Sequence, residues 1–481
     1  MERKNKIVKR IYYVVKLSLK SPLALSGGVS ESTDMDVLRN GKGELFIPGT
    51  SLAGAFRSYL QTENEKKTEG LFGYADGERG AMSSVHIADL YFDADTKPIV
   101  SVRDGVQLGA NKTVENKFDM EIIETGAEGK LYVEYILREN DWNDIKKENP
   151  EKEFAAILHG INTGEIRLGG NKNRGFGRLR AKKIWQAVFE SGHVKEWITF
   201  CENGHDASTL SEGETCESWL KDHLDREDEA PDTPEYIHYT IPLRLTGGIS
   251  IRRYSTKPGE ADFEHITCHM SPAKKNSAKS DFEDWDSVKP IIPGTSWNGA
   301  IRADIRDILG RLGCTDGKIR ELIDIWFGYV DVKKNAKGQR AKQSMVVFGE
   351  SVLEGGEDVP MTRNKINRFD SSTIESALYS EITHCGGETT LDIMIQTGKR
   401  GTKGENRKYA LALLAMLRLV VQDLGRGYLA VGGQTAIGRG VFTVSGEPVL
   451  LADGGEEIWK EAQQQLMTVI KEKKVLEEKE E

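Results

Sequence analysis

An eleven-residue segment occurs twice in this chain, and the duplication limits the possible folds more than any other feature. The first copy, IPGTSLAGAFR, begins at Ile47 and the second, IPGTSWNGAIR, begins at Ile292; eight of the eleven positions are identical. Other landmarks recur in the same order. A glycine pair follows an apolar strand at 27–28 and 247–248, a Phe-Gly-Tyr segment lies at 72–74 and 327–329, and a late glycine pair lies at 169–170 and 432–433. Such a repeat predicts two related folding units.

Hydrophobic spacing predicts that each unit is of the α+β class. Behind the IPGTS turn, Leu52, Ala55, Phe56 and Tyr59 have helical spacing, and the Thr or Ser of the motif can cap the helix. Alternating apolar residues predict strands at 130–137 and 237–245. Longer apolar stretches at helical spacing predict helices at 154–161 and 409–424. We predict a first domain at 1–204, an acidic linker at 205–235 and a second domain at 236–481, whose first loop holds an insertion at about 255–288.

The net charge of −9 is concentrated in one segment. Residues 206–235 contain eleven acidic and two basic side chains, so the rest of the chain is neutral overall. Two stretches are locally basic: 168–183 contains six basic and no acidic residues, and 361–368 contains three basic and no acidic residues. Basic stripes of this kind suit a nucleic-acid backbone.

Several classes of protein are disfavoured by the composition. No apolar run approaches the roughly 18 residues that cross a bilayer, and the basic start alternates like a strand rather than a signal peptide, so we expect a cytoplasmic protein without a membrane partner. The five cysteines are widely spaced and contain no CxxC, which disfavours a disulfide framework or a zinc ribbon. No GxxxxGK[ST] motif is present, so a P-loop nucleotide site is not supported.

The order of the motifs resembles the RAMP superfamily, and more specifically the backbone subunits of type III CRISPR effectors. The resemblance rests on a strand ending in Gly-Gly, a loop with an Asp before Val-Leu-Arg, then IPGTSLAGAFR, LFG, SSVHIADLYF, RDGV and a late GGNKNRGFGR loop. The duplication is similar to the tandem-subunit arrangement of type III-D-like systems. The resemblance implies two tandem RRM- or ferredoxin-like domains with loop and thumb insertions, the thumb being a hairpin that displaces one nucleotide per unit. It also implies these partners: crRNA, target RNA and the other effector subunits, namely a large polymerase-like subunit, other RAMP subunits and small subunits.

The IPGTS helices and the late glycine loops are predicted to contact an RNA backbone. A helix N-terminus with free N–H groups, a hydroxyl and an arginine one turn later suits a phosphate, although a capped packing helix with a surface arginine has the same pattern. The family often has a lysine where this chain has Ala53 and Asn298, so one expected contact is missing. Glycines joined to basic and amide side chains can wrap an RNA strand, the alternative being a plain turn. The predicted contacts are Ser51, Arg57, Ser296 and Arg302 in the helices and Asn171, Lys172, Arg174, Gln434 and Arg439 in the loops.

Two segments occupy the family's thumb position, RDGVQLGANKTVENKF and RNKINRFDSSTIESALYS. Both begin with basic and amide side chains. By resemblance, their guide-RNA contacts would be Arg103, Asn111, Lys112, Arg363, Lys365 and Arg368, whereas solvated loop charges are the plainer interpretation.

Asp34 and Asp262 are the predicted catalytic residues, because each lies between the Gly-Gly strand end and IPGTS, where cleaving members of the family carry an aspartate. RNA contains its own nucleophile, so one carboxylate can assist attack by the 2′-OH, directly or through a divalent cation, for which Mg²⁺ is expected. Asp36 is a rival for Asp34, and His265 could assist Asp262. The alternative function is a structural guide scaffold with inert aspartates. A guide-precursor processing nuclease would need a His or Tyr/Lys group that is absent from the repeat.

A zinc site is a further alternative in the second half. Its ligands would come from His265, Cys268, His269, His384 and Cys385, but their spacing matches no standard ligand pattern.

Overall fold

The computed structural model describes most of the chain, and the described residues form two compact mixed α/β units. They are residues 6–28, 33–60, 69, 71–76, 79–93, 96, 98–108, 114–139, 150–190, 192–224, 234–254, 261–270, 287–330, 341–375, 377–399, 404–452 and 457–472. The first unit comprises Met1–Lys172, Phe176–Pro234 and His269–Ser287, and the second comprises Asn173–Gly175, Glu235–Cys268 and Val288–Glu481.

The first unit is built on an antiparallel five-stranded sheet. Its main elements are β1 (Ile7–Leu19), α1 (Gly49–Leu60), β2 (Val85–Ile87), β3 (Val100–Leu108), β4 (Val114–Ile123), β5 (Glu128–Arg138), α2 (Pro150–Thr163), β6 (Leu179–Glu190), α3 (Val194–Glu202) and α4 (Cys216–His223). Short strands and 3-10 turns lie at Ser26–Gly28, Asp36–Val37, Phe46–Ile47, Tyr74–Asp76, Arg79–Ala81, Leu90–Tyr91, Ala207–Thr209 and Glu214–Thr215. A further 3-10 turn, Lys172–Arg174, begins at the last residue of this unit's first segment. The sheet order is Glu214–Thr215, β6, β1, β5, β2, while β3 and β4 form a separate hairpin.

The two faces of the first sheet differ because the residues of β1 alternate. Ile11, Tyr13 and Val15 belong to the main core, which α1, α2 and α4 complete with side chains such as Phe56 and Trp219. The opposite face is apolar only over its first half, where Tyr12, Val14 and Phe200 of α3 share a smaller cluster; its second half is polar.

The second unit repeats the order of the first. Its main elements are β7 (Pro234–Thr246), α5 (Gly294–Arg311), α6 (Asp316–Phe327), β8 (Val346–Phe348), β9 (Glu357–Arg363), β10 (Tyr379–Cys385), β11 (Glu388–Lys399), α7 (Glu405–Gly425), β12 (Val441–Val444) and α8 (Glu457–Lys471). The sheet order β12, β7, β11, β8 corresponds to β6, β1, β5, β2. Short elements lie at Gly248–Ile249, Arg252–Tyr254, Phe263–His265, Thr267–Met270, Ser287–Ile292, Tyr329–Val330, Ala341–Lys342, Ser351–Val352, Thr435–Ile437 and Val449–Leu451.

The helices and strands predicted from spacing are confirmed. Residues 130–137 lie in β5 and 237–245 in β7, while 154–161 lie in α2 and 409–424 in α7. Leu52, Phe56 and Tyr59 are buried on α1, and Ala55 is half-buried. Among the helices of the described ranges, none is long and apolar enough to cross a membrane.

The interval predicted as a linker is partly folded. Asp206 accepts hydrogen bonds from the Ser208 N–H (2.8 Å) and from the Lys130 ammonium group (3.3 Å), and Trp219 of α4 is buried in the first core. Acidic residues dominate the composition here and conceal the apolar face of α4. Residues 206–224 therefore belong to the first unit, and 225–233 lie outside the described residues.

The glycine of each IPGTS motif is required by close packing. A Cβ on Gly49 would lie 2.3 Å from the carbonyl oxygen of Ile87, and a Cβ on Gly294 would lie 2.5 Å from that of Phe348. These oxygens end the equivalent strands β2 and β8. The repeated motif thus docks each helix against its sheet, whatever else it binds.

Candidate nucleic-acid interface

In each unit, the loop after the first strand is tied to the hairpin by reciprocal hydrogen bonds. The N–H of Asp34 donates to the carboxylate of Asp119 on β4 (2.8 Å), and the N–H of Asp119 donates to the carboxylate of Asp34 (3.1 Å). In the second unit, the N–H of Asp262 donates to the carbonyl oxygen of Ser380 on β10 (3.0 Å), and the N–H of Ser380 donates to the carboxylate of Asp262 (2.7 Å). The two aspartates therefore occupy equivalent positions.

The neighbouring residues extend this equivalence. Met35 forms a parallel bridge with Met120, and Phe263 pairs in parallel with Glu381. Both aspartates are exposed to solvent. In each carboxylate, one oxygen is held by the hairpin N–H, and the other has no hydrogen-bond partner among the described residues. Each loop thus presents a carboxylate with one oxygen fixed by the hairpin and the other unbonded within the described part of the chain.

Asp36 and His265, the two rivals or helpers from the sequence, are engaged elsewhere. The Asp36 carboxylate accepts a hydrogen bond from the Thr33 hydroxyl. Nδ1 of His265 accepts from the Ile251 N–H (3.2 Å), and its Nε2 donates to the Ile291 carbonyl oxygen (2.9 Å). Burial, followed by repulsion from His384, lowers the pKa of His265 to about 4. This histidine is a neutral packing residue, and its ring nitrogens are not bonded to Asp262.

The residues weighed as zinc ligands also have other partners. Nδ1 of His384 lies 2.8 Å from the Asp358 carboxylate, and its Nε2 lies 3.1 Å from the Gly355 carbonyl oxygen. Within the described ranges, no three His, Cys, Asp or Glu side chains are grouped to hold a metal ion. The divalent cation expected beside Asp34 and Asp262 stays a prediction.

The two late glycine loops have the same backbone conformation. Asn171 and Gln434 both adopt a left-handed conformation, with φ of 52° and 58°, and a 3-10 turn follows each. Further along both loops lies a glycine, Gly177 or Gly440, at φ of 76° or 69°, where a Cβ would lie within 1.9 Å of a carbonyl oxygen. Only glycine fits this position, so the shape of both loops is fixed by the repeat.

Each loop amide reaches the same place on its hairpin. The Asn171 side-chain amide donates to the Met120 sulfur (3.4 Å), and the Gln434 side-chain amide donates to the Glu381 carboxylate (3.0 Å). Met120 and Glu381 each follow the residue that holds the aspartate. The glycine loop, the hairpin and the aspartate loop of each unit therefore meet at one point.

In the second unit, this point is a buried charge cluster. Glu381 is only 1% exposed, and its carboxylate contacts three arginines and an amide: Arg252 (2.9 Å), Gln434 (3.0 Å), Arg363 (3.4 Å) and Arg439 (3.8 Å). Three of these four were predicted RNA contacts, whereas Glu381 was not identified from the sequence. The carboxylate holds the cations of the loop and the hairpin together.

At the equivalent position in the first unit, the charged residues have different partners. Arg103 is opposite Met120 in the hairpin, just as Met361 is opposite Glu381. The Arg103 guanidinium lies 5.8 Å from the ring centroid of Phe176, and the Arg439 guanidinium lies 2.9 Å from the sulfur of Met361. The register therefore makes Met361, and not Arg363, the counterpart of Arg103. Arg103 is 6% exposed and pairs with Glu124 at 3.3 Å.

The predicted residues of the IPGTS helices are partly exposed, the two serines in the first turn and the two arginines about two turns further along. The Gly49 N–H already donates to the Asp89 carboxylate (2.7 Å), and α5 has no side-chain cap. Ser51, Arg57, Ser296 and Arg302 are half-buried. Burial and the nearby Arg306 lower the pKa of Arg302, whose Nε has no hydrogen-bond partner among the described residues. An anion beside this guanidinium would supply the missing acceptor.

The remaining predicted contacts are spread over the loop ends. Lys365 and Arg368 are exposed in the turn after β9, Arg174 is exposed, and half-burial of Lys172 lowers its pKa. Asn111 and Lys112 lie outside the described residues.

The turn after β9 also carries a residue that was not predicted. Phe369 is 100% exposed, and hydrogen bonds from Phe369 to Asn367 (3.0 Å) and from Ser372 to Asp370 (3.0 Å) shape the turn around it. The only signal in the sequence is a lone aromatic residue beside Arg368 in a polar stretch.

Comparison with protein families gives one match over both halves of the chain. The RAMP superfamily model matches residues 16–180 and 276–443, which together are more than half of the chain. A separate search of curated proteins found no match to this chain. Each matched segment includes an IPGTS helix, a hairpin and a glycine loop. The chain belongs to the RAMP superfamily, with two RAMP regions in tandem.

Proposed function

We propose that this chain is the tandem backbone subunit of a type III CRISPR effector, of the type III-D-like kind, and that it binds crRNA and cuts the paired target RNA once in each unit. Membership in the RAMP superfamily supports the crRNA-binding role. The observation that carries the proposed cutting is the equivalent placement of Asp34 and Asp262 against their hairpins. The other effector subunits are its expected partners.

The order of elements supports an RRM- or ferredoxin-like interpretation of both units. Each unit has the order strand, helix, two strands, helix, strand, with the last strand beside the first in the sheet. The β3–β4 hairpin and the β9–β10 segment are the insertions that the thumbs would occupy. On this interpretation, each thumb shares its base with the proposed catalytic aspartate.

The proposed reaction uses the RNA's own nucleophile. The free oxygen of the aspartate takes the proton of a 2′-hydroxyl on a nucleotide held beside it. The 2′-oxygen attacks the adjacent phosphorus, the bond to the 5′-oxygen breaks, and that oxygen leaves with a proton as a 5′-hydroxyl. The other product ends in a 2′,3′-cyclic phosphate. A divalent cation bound there would stabilise the charge that develops on the phosphate.

The hairpin supports this chemistry by holding the carboxylate and displacing the nucleotide. The bond from the hairpin N–H fixes one carboxylate oxygen, so little reorganisation is needed when the substrate arrives. Phe369 is exposed at the end of the second hairpin, where an aromatic face can stack on a base that has left the helix.

A structural guide scaffold is the second candidate function. It is favoured by the hydrogen bonds that tie Asp34 and Asp262 to their hairpins, because these give both aspartates a structural role. The two functions share guide binding and differ only in the fate of the target.

The guide-binding part is tested by substituting the two helix arginines. Arg57→Ala combined with Arg302→Ala should weaken guide binding whatever the guide sequence. It should also reduce the salt slope, the slope of log K for binding against log salt concentration, by about 0.7 for each lost phosphate contact. Unchanged affinity and slope would exclude both arginines as backbone contacts.

The cutting part is tested by the product ends. The assembled complex, incubated with labelled complementary RNA, should release 5′ fragments that end in a 2′,3′-cyclic phosphate, and EDTA should stop the release if a divalent cation assists. A complex that binds the target and leaves it intact would establish the scaffold function.

A further inference from the structure

A basic surface lies on the first unit, on the sheet face away from the main core. Beyond the part of β1 that packs against α3, cations lie on and beside three adjacent strands. We call six of them the basic face: Lys16, Lys130, Arg180 and Lys182 on the strands, and Lys20 and Arg178 next to the strand ends. None of them belongs to the aspartate loop or the hairpin.

The cations of the basic face are placed against one another. Lys16 is directly opposite Lys130 on β5 and Lys183 on β6. Like charges at directly opposite positions destabilise a sheet. Glu128 offsets part of the repulsion, because its buried carboxylate lies 2.6 Å from the Lys16 ammonium group and also pairs with Lys182.

Lys20 has no such partner. Among the residues that the structure describes, its ammonium group makes no hydrogen bond or ion pair. Partial burial and then repulsion from Lys182, Arg180 and Arg178 lower the pKa of Lys20. Glu128 attracts the Lys20 ammonium group, but more weakly than the three cations repel it, so this exposed lysine lies in predominantly cationic surroundings.

The second unit shows that the fold does not need these charges. The hydrogen bond from Leu19 to Ala127 is matched by one from Leu245 to Gly387, both 2.9 Å or shorter, which aligns the two sheets. On this alignment and the registers of β6 and β12, the six cations are replaced by uncharged residues, Pro242, Thr246, Thr390, Val441, Thr443 and Ser445. The strands of the second sheet thus pair in the same order without these six cations. In the first unit, four of the six also have acidic partners: Lys16 and Lys182 pair with Glu128, Lys130 with Asp206 and Arg180 with Glu217.

We propose that the basic face binds the phosphate backbone of single-stranded RNA, without reading its sequence. Arg178 is both the last residue of the first glycine loop and a member of the basic face, so the surface continues from a loop already proposed to touch RNA. Several cations spread over three strands suit a linear chain of phosphates. The proposal goes beyond guide binding in the two repeated loops, because it gives the first unit a contact that the second lacks.

The test replaces cations of the first unit with the residues of the second. Lys20→Thr with Arg180→Thr copies Thr246 and Thr443, and the full-length chain, freed of co-purified RNA, is titrated with fluorescein-labelled oligouridine over a series of salt concentrations. Arg244→Ser is the matched control, since Arg244 lies on the same face of the second unit, is paired with Glu388 at 2.7 Å and corresponds to Ser18.

The double variant should lower the salt slope by about 1.4, so the loss of affinity between about 50 and 200 mM salt becomes about sevenfold smaller. Arg244→Ser should leave affinity and slope unchanged. Lys20→Thr alone should unfold at the same or a higher denaturant concentration, because it relieves repulsion, and this separates lost binding from lost folding.

Unchanged oligouridine affinity and slope in the double variant would overturn the proposal. If RNA binding is unchanged and the variant instead fails to assemble with another effector subunit, the face docks an acidic protein. This test can be told apart from the test of the helix arginines. If the double variant binds RNA more weakly while Arg57→Ala and Arg302→Ala have no effect, the basic face is supported and the helix contacts are rejected.

Discussion

Glu381→Gln is the substitution whose cost follows most directly from the geometry. Glutamine keeps the shape of the side chain but removes the negative charge that pairs with Arg252, Arg363 and Arg439. Because the carboxylate is 1% exposed, water cannot replace it next to the arginines without opening the cluster.

The loss in the free energy of unfolding depends on how well water can solvate each arginine once the carboxylate is gone. Removing one partner of a buried ion pair costs about 3–5 kcal/mol. The side chains of Arg252 and Arg363 are 36% and 29% exposed and can turn towards water, whereas that of Arg439 is 9% exposed. We therefore expect a loss of about 3 kcal/mol in the free energy of unfolding, at the lower end of that range.

Glu388→Gln is the matched control, since it makes the same chemical change in an exposed pair. The side chains of Arg244 and Glu388 are 63% and 59% exposed, and such pairs contribute less than about 1 kcal/mol. Urea unfolding of the wild type and both variants measures the difference. Equal losses for Glu381→Gln and Glu388→Gln would refute the argument that the buried carboxylate organises the loop and the hairpin.

Three further predictions concern a glycine, a buried carboxyl group and an exposed ring. Gly49→Ala should destabilise the protein by about 1–3 kcal/mol because its Cβ meets a carbonyl oxygen, while Gly54→Ala in the same helix, with nothing within 4 Å, should stabilise it by up to about 1 kcal/mol; urea unfolding of both decides. Burial and the nearby Asp423 raise the pKa of the Asp304 carboxyl group in the folded state to about 6, so the folded state loses stability when this proton leaves. Asp304→Asn should therefore stabilise the protein at pH 7, and the gain should disappear as the pH falls through about 6 towards 4. An unchanged pH dependence of the free energy of unfolding would contradict this. Phe369→Ala should leave unfolding unchanged and weaken RNA binding by about 1–3 kcal/mol, measured by titration; full affinity would exclude stacking.

The sequence could predict only those features of the candidate site that lie within single motifs, and the roles assigned to these residues stay predictions. The order of IPGTS, hairpin and glycine loop repeats along the chain, so it indicated two units and equivalent positions for Asp34 and Asp262 without any knowledge of packing. Residues that support these motifs from other strands were not found. Asp119, Ser380 and Glu381 lie about 85 to 120 positions from the loop aspartates, and only the pairing of the strands brings them together.

Two other differences have local physical causes. The correspondence between Arg103 and the second hairpin depends on strand register, and a shift of two residues leaves the face pattern unchanged, so the arginines of the two copies could not be aligned by composition. The predicted linker was read from its charge, but Cys216, Trp219 and Leu220 lie on one face of α4 and anchor it to the first core.

The most direct test of the central claim is to map the cuts in a labelled target RNA bound to the assembled complex, using aspartate variants. The wild type should cut at two places separated by one guide-binding unit; Asp34→Asn should remove one cut and Asp262→Asn the other. The double variant should bind guide and target normally and cut at neither place, because both side chains are exposed and make no core contact. If the double variant retains both cuts, the two aspartates are not the catalytic residues.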